Sequence, residues 1–523
     1  MRLASIVSYL ALTIPVVQAM AQESIPAAPN VLVMVADDWG YGHASGLGCA
    51  WVKTPAFDRV IREGVLFRNA YTPNAKCSPS RSSILTGRNP WQLGAAANHS
   101  PIFPPEFQSF PLALASLGLS TGMTGKGWGP GIALDAQGKS RNLAGPSWNQ
   151  KTAPPPTSMI SKTDYAANFS AFLATTLPQR PWVFWYGAIE PHRDYEYGSG
   201  VAKGGKSLTD IERVPAYWPD IPEVRNDMLD YAFEIEHADR HLGLMLAELE
   251  RRGQLDNTLV IVTSDNGMPF PRVKGQEYAA SCHLPLAVRW PKGIPKPGRT
   301  VDDLVSLIDL APTIVEATGF AWSATGMAPA SGRSLLPLLA STQQGQIDPR
   351  RDHVLIGRER NDVGRPQDQG YPIRGIITAE WCYLRNYEPT RWPVGDPETG
   401  YLDCDGSPTK TAILNARRLA GHDRFWDLCF GKRGSEELYG LGSDPDCVNN
   451  RSAEASIAPL REALRATMEE ALSLENDPRM SGQGATIEAH PYYGEVKGFY
   501  ERRLVEPGLR ATWVSPGDAE PAP

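Results

Sequence analysis

Val31-Leu32-Val33-Met34-Val35-Ala36 follows Asn30 as an unbroken apolar run and ends on Asp37-Asp38. No polar residue alternates within it, so both faces must meet apolar neighbours. That is the signature of a strand buried on both sides of a parallel sheet. Trp182 to Ala188 repeats the pattern and ends near Glu190-Pro191-His192. Thr258 to Thr263 repeats it again before Ser264-Asp265-Asn266-Gly267, and Leu284 to Trp290 reads as a fourth run. Helical patterns lie between them. Pro55 to Glu63 is short, Asp227 to Arg252 is long and amphipathic, and Asp302 to Thr318 is stopped by Gly319. This alternation predicts an α/β fold: a large, mostly parallel sheet flanked by helices on both faces. Open sheets of this kind bind ligands at the carboxyl ends of their strands. Asp37, Asp38, His192, Asp265 and Asn266 are therefore expected on one rim.

The chain has 523 residues, with 51 Lys and Arg against 58 Asp and Glu and a formal net charge of −7. Basic residues are outnumbered and form no block, which argues against a nucleic-acid binder. Apolar residues make up 42% of the chain, enough for a sizeable core. Arg2, the apolar stretch Leu3 to Val17 and Ala19-Met20-Ala21 read as a signal peptide over residues 1–21. The apolar stretch falls short of the roughly 20 residues that span a bilayer. The expectation is an exported protein, periplasmic or extracellular, without a membrane anchor.

From about Tyr371 the texture changes. Pro372 to Asn386 reads as a hairpin, a Gly/Pro-rich loop runs to Lys410, and Pro459 to Glu475 reads as a terminal helix with Pro459 in its first turn. The chain thus divides into a main domain, 22–370, and a smaller C-terminal subdomain, 371–523, containing an antiparallel sheet. Seven cysteines stand at 49, 77, 282, 382, 404, 429 and 447. The count is odd, and no pair has zinc-site spacing. With Cys77 set aside, six remain, and at most one or two bridges are expected among the C-terminal group.

Asp37-Asp38 and Asp265-Asn266 each follow a buried strand, and together they form an oxygen-rich set suited to Ca²⁺ or Mg²⁺. Either pair alone is equally ordinary turn chemistry. A third element is Cys77-Ser78-Pro79-Ser80-Arg81, continuing to Leu85-Thr86-Gly87. Pro79 suits a helix start, which places Cys77 at a helix N-terminus beside an arginine, an environment that lowers a thiol's pKa. A plain thiol or half of a disulfide is the alternative.

The pattern C-x-P-S-R-x-x-x-L-T-G resembles the signature of type I sulfatases, of the alkaline-phosphatase-like superfamily, in which that cysteine is oxidised to formylglycine. The resemblance covers most of residues 30–320, through Gly125-Lys126, Glu190-Pro191-His192-Arg193 and Leu307 to Thr313. Ser264 to Pro271 and Pro191-His192-Arg193 look closest to the heparan N-sulfatase (N-sulfoglucosamine sulfohydrolase) branch. The resemblance implies that a formylglycine-generating maturation enzyme converts Cys77. A hydroxyl of the hydrated aldehyde, held by calcium rather than magnesium, then attacks sulfur, and the second hydroxyl expels sulfate. It also implies Asp37, Asp38, Asp265 and Asn266 as metal ligands. Arg81 would orient the nucleophile, Lys126 and Lys274 would bind sulfate, and His192 would be the sulfate-contacting acid. His99 and Arg193 are grouped with the substrate contacts, and the substrate is a sulfated mono- or oligosaccharide.

One departure stands out. Sulfatases commonly carry Lys-x-His where this chain has Lys126-Gly127-Trp128. Trp128 is either a sugar-stacking face or a packing residue. Specificity usually lies in loops, and Arg358, in the cluster Arg358-Glu359-Arg360, is the first choice for a sugar carboxylate or second sulfate. A phosphonate or phosphodiester hydrolase of the same superfamily and an inactive carbohydrate-binding homologue are the competing readings. Nine histidines with no His-rich cluster disfavour a two-zinc site.

Overall fold

The computed structural model describes residues 28–177 and 180–521. The signal-peptide segment, 1–21, lies outside the described residues. Strand Asn30–Ala36 sits inside an eight-stranded sheet, paired in parallel with Thr258–Ser264 on one side and Trp182–Gly187 on the other. Ser120–Gly125 extends the sheet in parallel beyond Trp182–Gly187. On the far flank Val65–Tyr71 and Arg299–Ser306 form a second parallel pair.

The unbroken apolar run now has a physical reason. Leu32, Met34 and Ala36 join one core, with Met228, Leu229 and Leu242 of the long helix Pro222–Arg251. Val31, Val33 and Val35 join the other, with Ile84 and Leu85 of the Cys77–Thr86 helix and Ile314 of Leu310–Ala317. Successive side chains point to opposite faces, and each face is covered by a helical layer. This is the predicted α/β architecture.

Two expected elements differ. Leu284 to Trp290 is two short pieces, His283–Leu284 and Ala287–Arg289, both antiparallel to Val65–Tyr71. Pro285 lies between them and has no N–H for a ladder. Ala287–Arg289 also pairs antiparallel with Thr258–Ser264, so it bridges the two parallel flanks. Asp302 to Thr318 is not one helix. Arg299–Ser306 is a strand, Leu307–Asp309 a tight turn, and the helix is only Leu310–Ala317. A register shift between Val301 and Leu304 places two buried apolar residues three apart, which imitates helical spacing.

A separate antiparallel sheet runs His353–Arg358, Ile373–Thr378, Trp381–Asn386, Glu436–Gly440. Its central hairpin is the one read from sequence, but its first strand precedes residue 371. Leu464, Met468 and Leu472 of the Ala458–Leu474 helix pack on Leu355, Ile376 and Tyr383 of this sheet. The stretch read as loop to Lys410 is irregular up to Ser407; its last three residues open the helix Pro408–Ala420, where Ser407 caps the Lys410 N–H and Pro408 stands in the first turn.

All seven cysteines are unbridged, so the C-terminal group, for which at most one or two bridges were expected, forms none. Cys404 and Cys429 are buried as small apolar groups in the main core. Among the described residues, no helix is long and apolar enough to cross a membrane.

Candidate active site

The register that pairs Ala36 with Ser264 makes the two strands end side by side, so Asp37 emerges next to Asp265. Asp38 takes a left-handed φ of 80°, a conformation aspartate tolerates better than most residues. Its N–H donates to Asp265 Oδ1 at 3.1 Å, and Asn266 Nδ2 donates to Asp38 Oδ1 at 2.6 Å. One carboxylate oxygen from each of Asp37, Asp38 and Asp265 lies within 4.8 Å of the others. Asn266 Oδ1 is buried without a hydrogen-bond partner. An orphaned buried acceptor costs about 1–3 kcal/mol, and a hard cation would satisfy it. Three carboxylates and an amide oxygen are donors that fit calcium.

The electrostatics agree with that fit. Burial pushes Asp265 well above the usual carboxylate range despite Arg81, and pushes Asp38 up against Lys274 and His192. Burial opposes ionisation of Asp37 too, but Lys126, Arg81 and His192 together hold it well below its ordinary value.

Cys77 opens the helix Cys77–Thr86, all of whose residues are buried. One turn on, Arg81 Nε donates to Asp265 Oδ2 at 2.7 Å, and Nη1 to the carbonyls of Lys126 and Gly127 at 3.0 and 3.2 Å. Nη2 reaches Asp37 Oδ1 at 3.4 Å. The guanidinium is thus locked and acts by orienting carboxylates. Ser80 Oγ donates to the Asp265 carbonyl at 2.6 Å, tying the helix to the acidic loop.

Lys126 arrives at the end of strand Ser120–Gly125. A Cβ at Gly187 would lie 1.7 Å from the Lys126 carbonyl oxygen, so only glycine lets the neighbouring strand close against it. Lys126 Nζ pairs with Asp37 Oδ2 at 2.5 Å, and Lys274 Nζ with Asp38 Oδ2 at 2.7 Å and Asp405 Oδ2 at 3.1 Å. His192 Nδ1 bonds the Arg193 carbonyl at 2.6 Å, and its Nε2 stands 4.0 Å from Asp38 Oδ2. Cys77, Lys126, His192, Lys274 and His99 line one cavity of about 330 Å³. Burial would raise the Cys77 thiol and Asp37 opposes its ionisation, but Lys126, Lys274 and a bond to His192 prevail and hold it well below its ordinary value. Burial and Lys274 pull His192 down, while Asp38, Asp37 and Cys77 more than offset them and bring it to about 9.

Three of the substrate-contact candidates stand outside this cavity. Arg193 forms a two-pronged pair with Asp227 at 2.7 and 2.8 Å and lies against the rings of Tyr195 and Phe270. Trp128 donates to Ser82 Oγ at 2.9 Å, packs edge-on against Phe103 and lines a neighbouring cavity. Arg358 is 1% exposed. It donates to the carbonyls of Tyr371, Gly275 and Pro393 and is sealed from the cavity by its burial. It braces the residue after Lys274 instead.

The sequence reading missed Lys76 and Asp362, which pair at 2.8 Å in the cavity wall, and gave Asp405 no role at the metal rim. It also missed the tail, whose Tyr492, Tyr493 and Trp513 close the cavity's outer side. Lys76 abuts the signature and was findable; the tail carries no motif.

Residues 29–320 match the Sulfatase family model. The chain is 29% identical over 476 residues to human N-sulphoglucosamine sulphohydrolase, covering 83% of this chain and 88% of the relative. It is 25% identical over 481 residues to an ulvan-active sulfatase of Formosa agariphila, covering 84% and 74%. A protein solved in complex with its substrate D-glucosamine-2-N,6-O-disulfate superposes with a TM-score of 0.59 at 20% identity, over 86% of this chain and 98% of the other. The phosphonate monoester hydrolase of Agrobacterium radiobacter superposes with a TM-score of 0.57 at 17% identity, over 87% and 97%. Those two likenesses establish a shared fold and leave the chemistry open. The family model spans more than half of the chain and decides the matter: this chain belongs to the sulfatase family, the sulfuric ester hydrolases.

Proposed function

We propose that this sulfatase removes sulfate, O- or N-linked, from sulfated carbohydrates, with Cys77 converted to formylglycine and with Ca²⁺ held by Asp37, Asp38, Asp265 and Asn266. The observation that carries the reading is the meeting of Cys77, Lys126, Lys274 and His192 around one cavity, with the cluster of Asp37, Asp38 and Asp265 held against the same lysines. The aldehyde hydrate supplies the nucleophile and the cation a Lewis acid.

The rest is work for this chain's own side chains. Lys126 and Lys274 present ammonium groups to the sulfuryl oxygens, and their carboxylate partners fix where those groups stand. Arg81 keeps Asp37 and Asp265 in place. His192 bonds the Arg193 carbonyl through Nδ1, which leaves Nε2 to give a proton to the departing oxygen or nitrogen. A maturation enzyme for Cys77 and export through the N-terminal signal belong to the same reading. The human relative is named for N-sulphoglucosamine and one structural neighbour holds a disulfated glucosamine as its substrate, which supports the substrate class.

Two measurements test it. Trypsin frees the peptide Cys77 to Arg81, and its mass in protein from the native host is expected to be that of formylglycine. An unmodified cysteine in an active preparation overturns the nucleophile. Sulfate release from a panel of N-sulfoglucosamine, glucosamine 6-sulfate and sulfated algal oligosaccharides is expected to vanish with a calcium chelator and in Cys77→Ala or Asp265→Ala. Faster turnover of an aryl phosphonate than of every sulfated sugar would favour the phosphonate hydrolase instead.

A further inference from the structure

His99 sits on a strap between the Cys77 helix and the tail. Its N–H donates to the Arg360 carbonyl at 2.9 Å, and the Ser100 carbonyl accepts from Tyr493 N–H at 2.8 Å. Ser100, the next residue, holds a left-handed φ of 49°, a strained choice for serine. The imidazole is 7% exposed. Nδ1 bonds Asp362 Oδ1 at 2.8 Å, and Lys76 Nζ takes the other oxygen, Oδ2, at 2.8 Å. Both carboxylate oxygens are therefore committed and the ring cannot swing. Its other nitrogen, Nε2, is buried with no hydrogen-bond partner. The Ser100 N–H donates to Ser78 Oγ at 3.3 Å, which holds the strap against the start of the Cys77 helix, and His99 and Cys77 line the same cavity.

A carboxylate on Nδ1 selects the tautomer whose Nε2 carries a lone pair, and it stabilises the ring once that lone pair takes a proton. Trp128 offers no such acceptor. Its N–H is spent on Ser82 and its ring faces another cavity. The cavity around Cys77 thus has two imidazoles, His192 on the Asp38 side and His99 on the Asp362 side.

We propose that His99, oriented by Asp362, is the proton acceptor for the hydroxyl borne by residue 77. The O–H bond breaks with its electron pair left on oxygen, the N–H bond forms at Nε2, and the proton then passes to water. Asp362 touches no reacting atom and is a positioning residue. The proposal rests on the sulfatase reading above.

The test uses the full-length enzyme and N-sulfoglucosamine or glucosamine 6-sulfate, whichever the wild type turns over. In His99→Ala, kcat is expected to fall on the order of 10²–10⁴-fold, and added imidazole to restore part of it. In a Cys77→Ala background, calorimetric affinity for the same sugar is expected to stay within about twofold when His99 is also replaced, because the proton step is not a ground-state contact. Affinity that falls in step with kcat/KM makes His99 a substrate contact and overturns the proposal. An unchanged kcat overturns it too. Failure of the wild type to release sulfate from every sugar of the panel above refutes the sulfated-carbohydrate reading itself, and this assignment with it. If His99→Ala does not fold, the ¹⁵N shifts of His99 in the wild type decide. A proton on Nδ1 and none on Nε2 is expected, shifting towards a tautomer mixture in Asp362→Asn. A bare Nδ1 in the wild type overturns the assignment.

Discussion

Asn266 donates through its nitrogen and leaves its oxygen buried and unpaired. That asymmetry predicts that Asn266→Ala weakens calcium binding by at least about tenfold, as losses around metal sites do. Calorimetric titration of calcium-free protein checks this, and an unaltered affinity would remove the residue from the ligand set. Arg358 tests the opposite kind of arginine. It is buried, it braces three carbonyls, and it stands 3.7 Å from Asp403. Arg358→Ala is expected to cost about 3–5 kcal/mol, since it strips a buried charge from its partners, while KM of the folded enzyme stays constant. Urea unfolding and kinetics separate the two effects. A raised KM with intact stability would return Arg358 to the sugar. Its chemistry was legible in the sequence, but its direction was not. An arginine that binds sulfate and one that holds backbone carbonyls look alike until the carbonyls are in place.

At the level of elements, the long helix Pro222–Arg251 buries an ionisable group it does not pair. Glu234 is 1% exposed, and its Oε1 has no partner. Burial first, then Glu190 and Asp230, push its carboxyl to about 9. The folded state therefore binds a proton that the unfolded chain releases near its ordinary value of about 4.3. Stability from this group is fully present below that value and is lost as pH rises towards 9. Glu234→Gln is expected to raise the melting temperature more at pH 9 than at pH 5. An equal gain at both would mean that Glu234 is not protonated in the fold. The helix itself was legible from its apolar spacing. Arg299–Ser306 was not, because a local register shift spaced its buried residues like a helix.

At the scale of the whole molecule, the last part of the chain returns to close the cavity that residues 37–274 build. Tyr493 lines it while staying 50% exposed, so it adds wall without adding core. Tyr493→Ala is expected to raise KM by about 3–10-fold, the worth of one aromatic contact at 0.5–1.5 kcal/mol, without changing the melting temperature. If KM does not move, the substrate does not reach this wall. Protein recovered from the periplasm or medium is expected to begin at Gln22, read by N-terminal sequencing. A start at Met1 would refute export through the segment 1–21.

The sequence by itself determined the three central strands of the sheet, the cation-ready residues at their ends, and the cysteine signature with its arginine. Each follows from local chemistry: unbroken apolar runs must be covered on both faces, and short polar side chains collect where strands stop. Only the tertiary structure decided which cations meet the site. Lys274 was drawn to Asp38 and Asp405, while Arg193 and Arg358 were drawn into the scaffold. Only it paired His99 with Asp362, 263 positions away along the chain. A buried charge goes wherever an opposite charge or a carbonyl is held for it, and those partners come from distant loops whose approach no local pattern encodes.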